Sequence, residues 1–149
     1  MSPWIYQGKP IEPEDIPPKA FGFIYLITQI STGRKYIGRK LLTSAARKTV
    51  KGKTKKIRKE SDWQSYWSSS PEIKELIEAA GHDDFTREIL VFTTSRGSTA
   101  YLEELSLHLV GALESDKWIN GNIRTKIFSN WVKVDEAKLM RAALAKHVP

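Results

Sequence analysis

The stretch FGFIYLITQISTGRKYIGRK, residues 21–40, decides the fold. Two runs rich in β-branched and aromatic residues, 21–29 and 34–38, flank a Ser31-Thr32-Gly33 turn. Glycine accepts the positive φ that a tight hairpin loop requires, so Thr32-Gly33 is the expected two-residue loop. That loop would pair Gln29 with Tyr36. Side chains alternate along a strand, and Tyr25 lies four residues before Gln29, so Tyr25 and Tyr36 share a face. Two phenols on one face, next to Gly38, Arg39 and Lys40, make a place where a phosphate can sit.

Composition narrows the setting. One domain is expected from 149 residues, and 40% hydrophobic content with five tryptophans predicts a packed core. The chain has no cysteine, which excludes disulfides, thiolate metal sites and cysteine nucleophiles. The N-terminal MSPWIYQGKP lacks the features of a signal peptide, and no apolar run approaches the roughly 20 residues of a membrane span. The expectation is a soluble cytoplasmic protein. Its net charge is +7, and the excess is concentrated. Between Arg39 and Lys59 lie ten basic residues and no acidic one: Arg39, Lys40, Arg47, Lys48, Lys51, Lys53, Lys55, Lys56, Arg58 and Lys59. A local field of one sign is the footprint of a polyanion-binding surface, and the plain alternative is a solvated loop.

The remaining elements follow from pattern. Residues 1–20, with five prolines, predict an extended arm anchored by Trp4, Ile5 and Tyr6. Leu41, Leu42, Ala45 and Ala46 recur at helical spacing and predict a short helix over 41–49, followed by a mobile basic loop over 50–60. Ser70-Pro71 opens a helix over 71–80 that Gly81 stops. FTREILVF, 85–92, is the third strand, and a helix follows over 98–113. The tail, 135–147, reads as an amphipathic helix with Leu139, Met140, Ala143 and Leu144 inward. The expected fold is therefore α/β: a small three-stranded sheet, made by the N-terminal hairpin plus a third strand, flanked by helices. The domains divide as 1–20, the arm; 21–123, the main domain with its basic loop 39–60; and 124–149, a C-terminal extension.

Ile24-Tyr25 and Tyr36-Ile37-Gly38, with the two tyrosines eleven positions apart, resemble the paired signature of the GIY-YIG nuclease superfamily. Tyr66-Trp67-Ser68-Ser69-Ser70, the Gly81 turn, Glu88-Ile89-Leu90 and Trp118-Ile119-Asn120 continue the resemblance to phage-encoded, homing-type members over about residues 20–123. Two departures stand out. Phe23 occupies the first motif's glycine position, with Gly22 one residue earlier. The family's arginine slot, about ten residues after the second tyrosine, holds Ala46, with Arg47 one further on.

The resemblance implies hydrolysis of DNA, expected to be double-stranded, with one bound magnesium or manganese ion. It implies a site of Tyr25, Tyr36, an arginine and a glutamate from the helix after the third strand. Tyr25 would activate water, which requires its pKa to fall from about 10 under nearby cations. Lys35, Arg39, Lys40 and Arg47 are the cations at hand. Tyr36 would orient water or phosphate; the ordinary alternative for either phenol is a half-buried strand aromatic. Arg47 would clamp the phosphate through its planar donor fork, with Arg39 as competitor. Glu103 would ligate the metal, with Glu104 as alternative, since a hard cation takes carboxylate oxygen. Trp63, Tyr66 and Trp67 are candidates for stacking on bases. His82, His108 and His147 are too dispersed for a metal cluster. A non-catalytic nucleic-acid-binding protein that keeps the fold and basic loop is the alternative reading.

Overall fold

The computed structural model describes residues 3–121 and 129–149. The expected boundary between residues 123 and 124 lies outside the described residues. In chain order the strands are β1 (Ile5–Tyr6), β2 (Lys9–Pro10), β3 (Gly22–Gln29), β4 (Lys35–Leu41), β5 (Thr43–Val50), β6 (Lys53–Glu60) and β7 (Phe85–Thr93). The helices are α1 (Pro71–Ala80), α2 (Arg96–Leu109) and α3 (Val134–Leu144). Among the described residues no helix is long and apolar enough to cross a membrane.

The main sheet has five strands, in the order β2-β1-β7-β3-β4, where three were expected. The additional two come from the arm. Gln7 and Gly8, both at positive φ, turn the chain back so that β1 and β2 pair, and β1 then runs parallel to β7. Trp4 fixes this segment: it is 1% exposed and its Nε1 donates to the Trp63 carbonyl at 2.7 Å.

β3 is buried on both faces, as its nearly unbroken apolar run dictates. Phe23, Tyr25 and Ile27 face a layer containing Trp4, Trp63, Trp67 and α1. Ile24 and Leu26 face α2 and α3. The β3–β4 register pairs Ile27 with Tyr36, not Gln29 with Tyr36, because the loop is four residues, Ile30 to Gly33. Asp84 holds that loop, accepting from Ser31 N, Ser31 Oγ and Gln29 Nε2. The register differs from expectation by two residues, an even shift, so Tyr25 and Tyr36 still share a face.

The expected helix over 41–49 and loop over 50–60 are instead a β-hairpin, β5–β6, forming a separate two-stranded sheet. Two local features override the helical spacing. Lys51 and Gly52 both take positive φ, the geometry of the favoured two-residue hairpin loop. Thr43, Thr49, Val50, Thr54 and Ile57 are β-branched and suit a pleated ribbon.

The helices fall close to expectation. Ser70 caps α1 by accepting from Ile73 N, Pro71 occupies its first turn, and Gly81 ends it at φ 85°. α2 ends earlier than expected, since Gly111 in the left-handed region breaks it. In α3, Met140 and Leu144 are fully buried, but Leu139 is 60% exposed and not inward. The buried stripe runs through Glu136, Ala137, Met140 and Leu144, and at 3.6 residues per turn Leu139 lies about a third of a turn from its centre.

Candidate active site

Tyr25 sits opposite Gly38 across the β3–β4 ladder, and the phenol lies against the glycine's Cα. A Cβ on Gly38 would stand 2.3 Å from Tyr25 Oη, so only glycine fits. The Tyr36 ring is 6.2 Å from that of Tyr25, and Tyr66 packs edge-on against Tyr25 at 5.9 Å. Ser68 hydrogen-bonds both Tyr25 and Tyr36 from a backbone at φ 104°, and its Oγ accepts from Ser70 N. A non-glycine residue in that conformation is strained, which marks a position held by its surroundings.

Burial pushes the Tyr25 phenol well above its ordinary pKa, and the neighbouring Tyr66 and Tyr36 raise it further. Tyr36 is also raised, again mainly by burial, with the Ser68 hydrogen bond opposing and the Glu103 charge adding. The cations named from sequence do not reverse these shifts. Both phenols are protonated at neutral pH and act as hydrogen-bond donors.

Lys40 completes this face. Its Nζ lies 4.1 Å from the Tyr66 ring centroid and donates to Asp62 Oδ1 at 2.5 Å. Phe23, at the departure from the first motif, is buried against Trp4 and Trp63 and takes no part in the polar cluster.

The outer edge of β4 is closed by three different groups. Lys35 exchanges backbone bonds with Lys117 and Ile119. Asn120 takes the next position with its side chain, Oδ1 accepting from Ile37 N and Nδ2 donating to Ile37 O. The Glu103 carboxylate, from α2, accepts from the Arg39 backbone and stands 3.7 Å from Arg39 Nε. α2 packs on the opposite sheet face from the tyrosines, so the glutamate and phenols approach one another around an edge strand. Burial raises the Glu103 pKa, Arg39 counters it, and Glu104 adds to it. Glu104 Oε1 is buried without a hydrogen-bond partner.

The structure thus brings together Tyr25, Tyr36, Lys40, Arg39 and Glu103. Arg47 is elsewhere: it is exposed on β5 opposite Lys56, and the helix expected to carry it does not form. Lys48, Lys51, Lys53, Lys55, Lys56, Arg58 and Lys59 are exposed along the same hairpin. Arg58 is tied to its base, bonding Thr43 Oγ1 and O. Lys35 lies at the start of β4, half-buried. Trp63 and Trp67 are core residues, not stacking platforms. Among the described residues no three His, Asp or Glu side chains converge as a metal cluster.

Arg87 was not foreseen. It is 2% exposed, lies 4.6 Å from the rings of both Trp4 and Trp67, and donates to Tyr66 O and Gln64 O. Burial brings its pKa down to about 10. It therefore ties the segment carrying Tyr66 and Ser68 to β7. The signal was alternation: in Phe85-Thr86-Arg87-Glu88-Ile89, Arg87 falls on the same face as the two apolar residues.

A polar cluster built on two strand tyrosines, one opposite a glycine and the other beside it, with a helix glutamate at the strand edge, defines a GIY-YIG domain. The family model described as "Putative endonuclease segE, GIY-YIG domain" matches residues 4–123, and the chain belongs to that family. The match includes the arm, in keeping with its two strands in the sheet. No curated protein and no solved structure matches the chain.

Proposed function

We propose that the protein is a divalent-metal-dependent endonuclease that hydrolyses phosphodiester bonds in double-stranded DNA. The observation that carries this reading is the meeting of Tyr36, Arg39 and Glu103 around the Gly38 edge, beside a hairpin of basic residues.

Each residue has a part in that chemistry. Tyr25 is too buried to meet water; it fixes Tyr36 and Ser68 in place. Tyr36 is the more accessible phenol and orients the attacking water by hydrogen bonding, and the water's proton passes to solvent as the new P–O bond forms. Arg39 and Lys40 offset charge on the phosphoryl oxygens, as positioned cations do in such transition states. Arg39 replaces Arg47 in that role because it lies within the site. Breaking the P–O bond leaves an alkoxide that takes a proton from solvent.

A magnesium or manganese ion fits here, since such ions keep several waters and need only one or two carboxylates. Glu103 would hold it, with the partnerless Glu104 Oε1 as a second oxygen donor. The bound ion would supply Lewis acidity toward the phosphoryl oxygens.

Incubation of supercoiled plasmid with protein and magnesium tests the proposal. Nicking that Tyr36→Phe and Glu103→Ala both abolish supports it. Salt-sensitive DNA binding with no cleavage by the unaltered protein would replace it with the non-catalytic binding reading.

A further inference from the structure

The β5–β6 hairpin is built against its own stability. Its strands pair only with each other, and all of β6 and the outer half of β5 are exposed. An isolated two-stranded hairpin is marginal in water. Here, between Thr43 and Lys59, it also carries eight basic residues and no acidic one. The register places Arg47 opposite Lys56 and, on the next rung, Lys48 opposite Lys55. Like charges directly across a ladder repel. A ribbon arranged this way is relieved by a polyanion.

The distribution of charge says more. Alternation puts Lys48, Lys53, Lys55 and Lys59 on one face and Arg47, Lys56 and Arg58 on the other. A ribbon lying flat on a phosphate backbone uses one cationic face. Cations on both faces match phosphates on both sides, the situation inside a groove. Eight residues per strand extend about 26 Å at ~3.3 Å each, most of a helical turn of DNA. The major groove, about 12 Å wide, admits a two-stranded ribbon, whereas the minor groove at about 6 Å is too narrow for one with long side chains on both faces.

We propose that the β5–β6 hairpin enters the major groove of duplex DNA, its two faces gripping the two phosphate walls. This rests on the reading of the site as acting on duplex DNA but goes beyond it, because it names the groove and the element that enters it. The tip residues Thr49, Val50 and Thr54 then stand where base edges are presented, and their methyl groups suit contact with thymine.

The test is fluorescence anisotropy in EDTA, so that nothing is cut. One duplex is plain; a second carries glucosylated 5-hydroxymethylcytosine, which fills the major groove and leaves the phosphates untouched. Two variants remove charge from one face each, Lys48→Ala/Lys55→Ala and Arg47→Ala/Lys56→Ala. The expected result is about a tenfold loss for the unaltered protein on the filled-groove duplex. Each variant also lowers the slope of log affinity against log salt by about 2, one per contact removed. Equal affinity for the two duplexes overturns groove entry, as does an effect confined to one face. If neither variant alters binding, the hairpin is no DNA contact, while plasmid nicking still decides the nuclease reading separately.

Discussion

Tyr25 Oη occupies the space that a side chain on Gly38 would need, with only 2.3 Å between it and a Cβ built there. The strand partner of the buried phenol is therefore fixed as glycine by packing, before any chemistry is considered. Gly38→Ala must push Tyr25 out of place. Overpacking of this kind costs about 1–3 kcal/mol. Thermal unfolding should shift downward, and plasmid nicking should fall more than tenfold because Tyr36 and Ser68 lean on the same ring. Unchanged melting and nicking would contradict this placement of Tyr25.

Glu103 is expected to separate stability from activity. Burial lifts it above the ordinary glutamate value of about 4.3, so the folded protein holds this proton more tightly than the unfolded chain does. Stability consequently declines as pH rises from the unfolded to the folded value and stays lower above it. Its partner Arg39 is 43% exposed, so the pair recovers little. Glu103→Gln should leave the metal-free protein as stable at neutral pH, or more so, while abolishing nicking and the magnesium-induced rise in melting temperature. A variant that still gains stability from magnesium would move the metal ligand to Glu104.

Arg87 should behave as a structural pin whose loss reaches the site. Arg87→Met leaves the Tyr66 and Gln64 carbonyls without their charged donor, a loss of about 1.5–3 kcal/mol. Lysine lacks the planar fork and should not restore both bonds. Urea denaturation of the two variants measures this. Equal stability for Arg87→Lys and the unaltered protein would refute the bidentate role.

Asp84 gives a pH signature of the opposite sign. Its carboxylate is held below the usual aspartate range, chiefly by the Ser31 hydroxyl and also by Gln29 and the Ser31 amide. Its stabilising contribution is complete above the unfolded pKa and disappears as pH falls through the depressed folded value. Asp84→Asn should flatten the acid limb of the stability curve and loosen the Ile30 to Gly33 loop, detectable by amide exchange at Gln29 and Gly33. An unaltered acid limb would show that the carboxylate contributes nothing.

Local pattern carried the central hairpin, α1, β7 and most of α2 and α3, because each has its own periodicity and stop signals. The shared face of Tyr25 and Tyr36 was legible even with the wrong loop length, since face membership survives any even register shift. The β5–β6 hairpin was not. Leu42, Ala45 and Ala46 imitate helical spacing, and the deciding feature was the backbone of Lys51-Gly52. The two strands of the arm were hidden for another reason: two-residue strands have no period, and β1 exists only because β7 offers an edge. In the candidate site the sequence named Glu103 and Arg39 but not their meeting. That contact depends on α2 and β4 being brought together across the sheet edge.

The side chains along β4 have a consequence for how the molecule keeps to itself. An open strand edge invites another chain to add on, and this sheet has two ends. One ends in β2, only two residues long and containing Pro10, which cannot donate to a further strand. At the other end Asn120 and Glu103 occupy the backbone groups that an incoming strand would need. The same carboxylate proposed to hold metal thus also stands guard against self-association. A variant lacking both side chains would leave β4 as a template for stacking one copy onto the next.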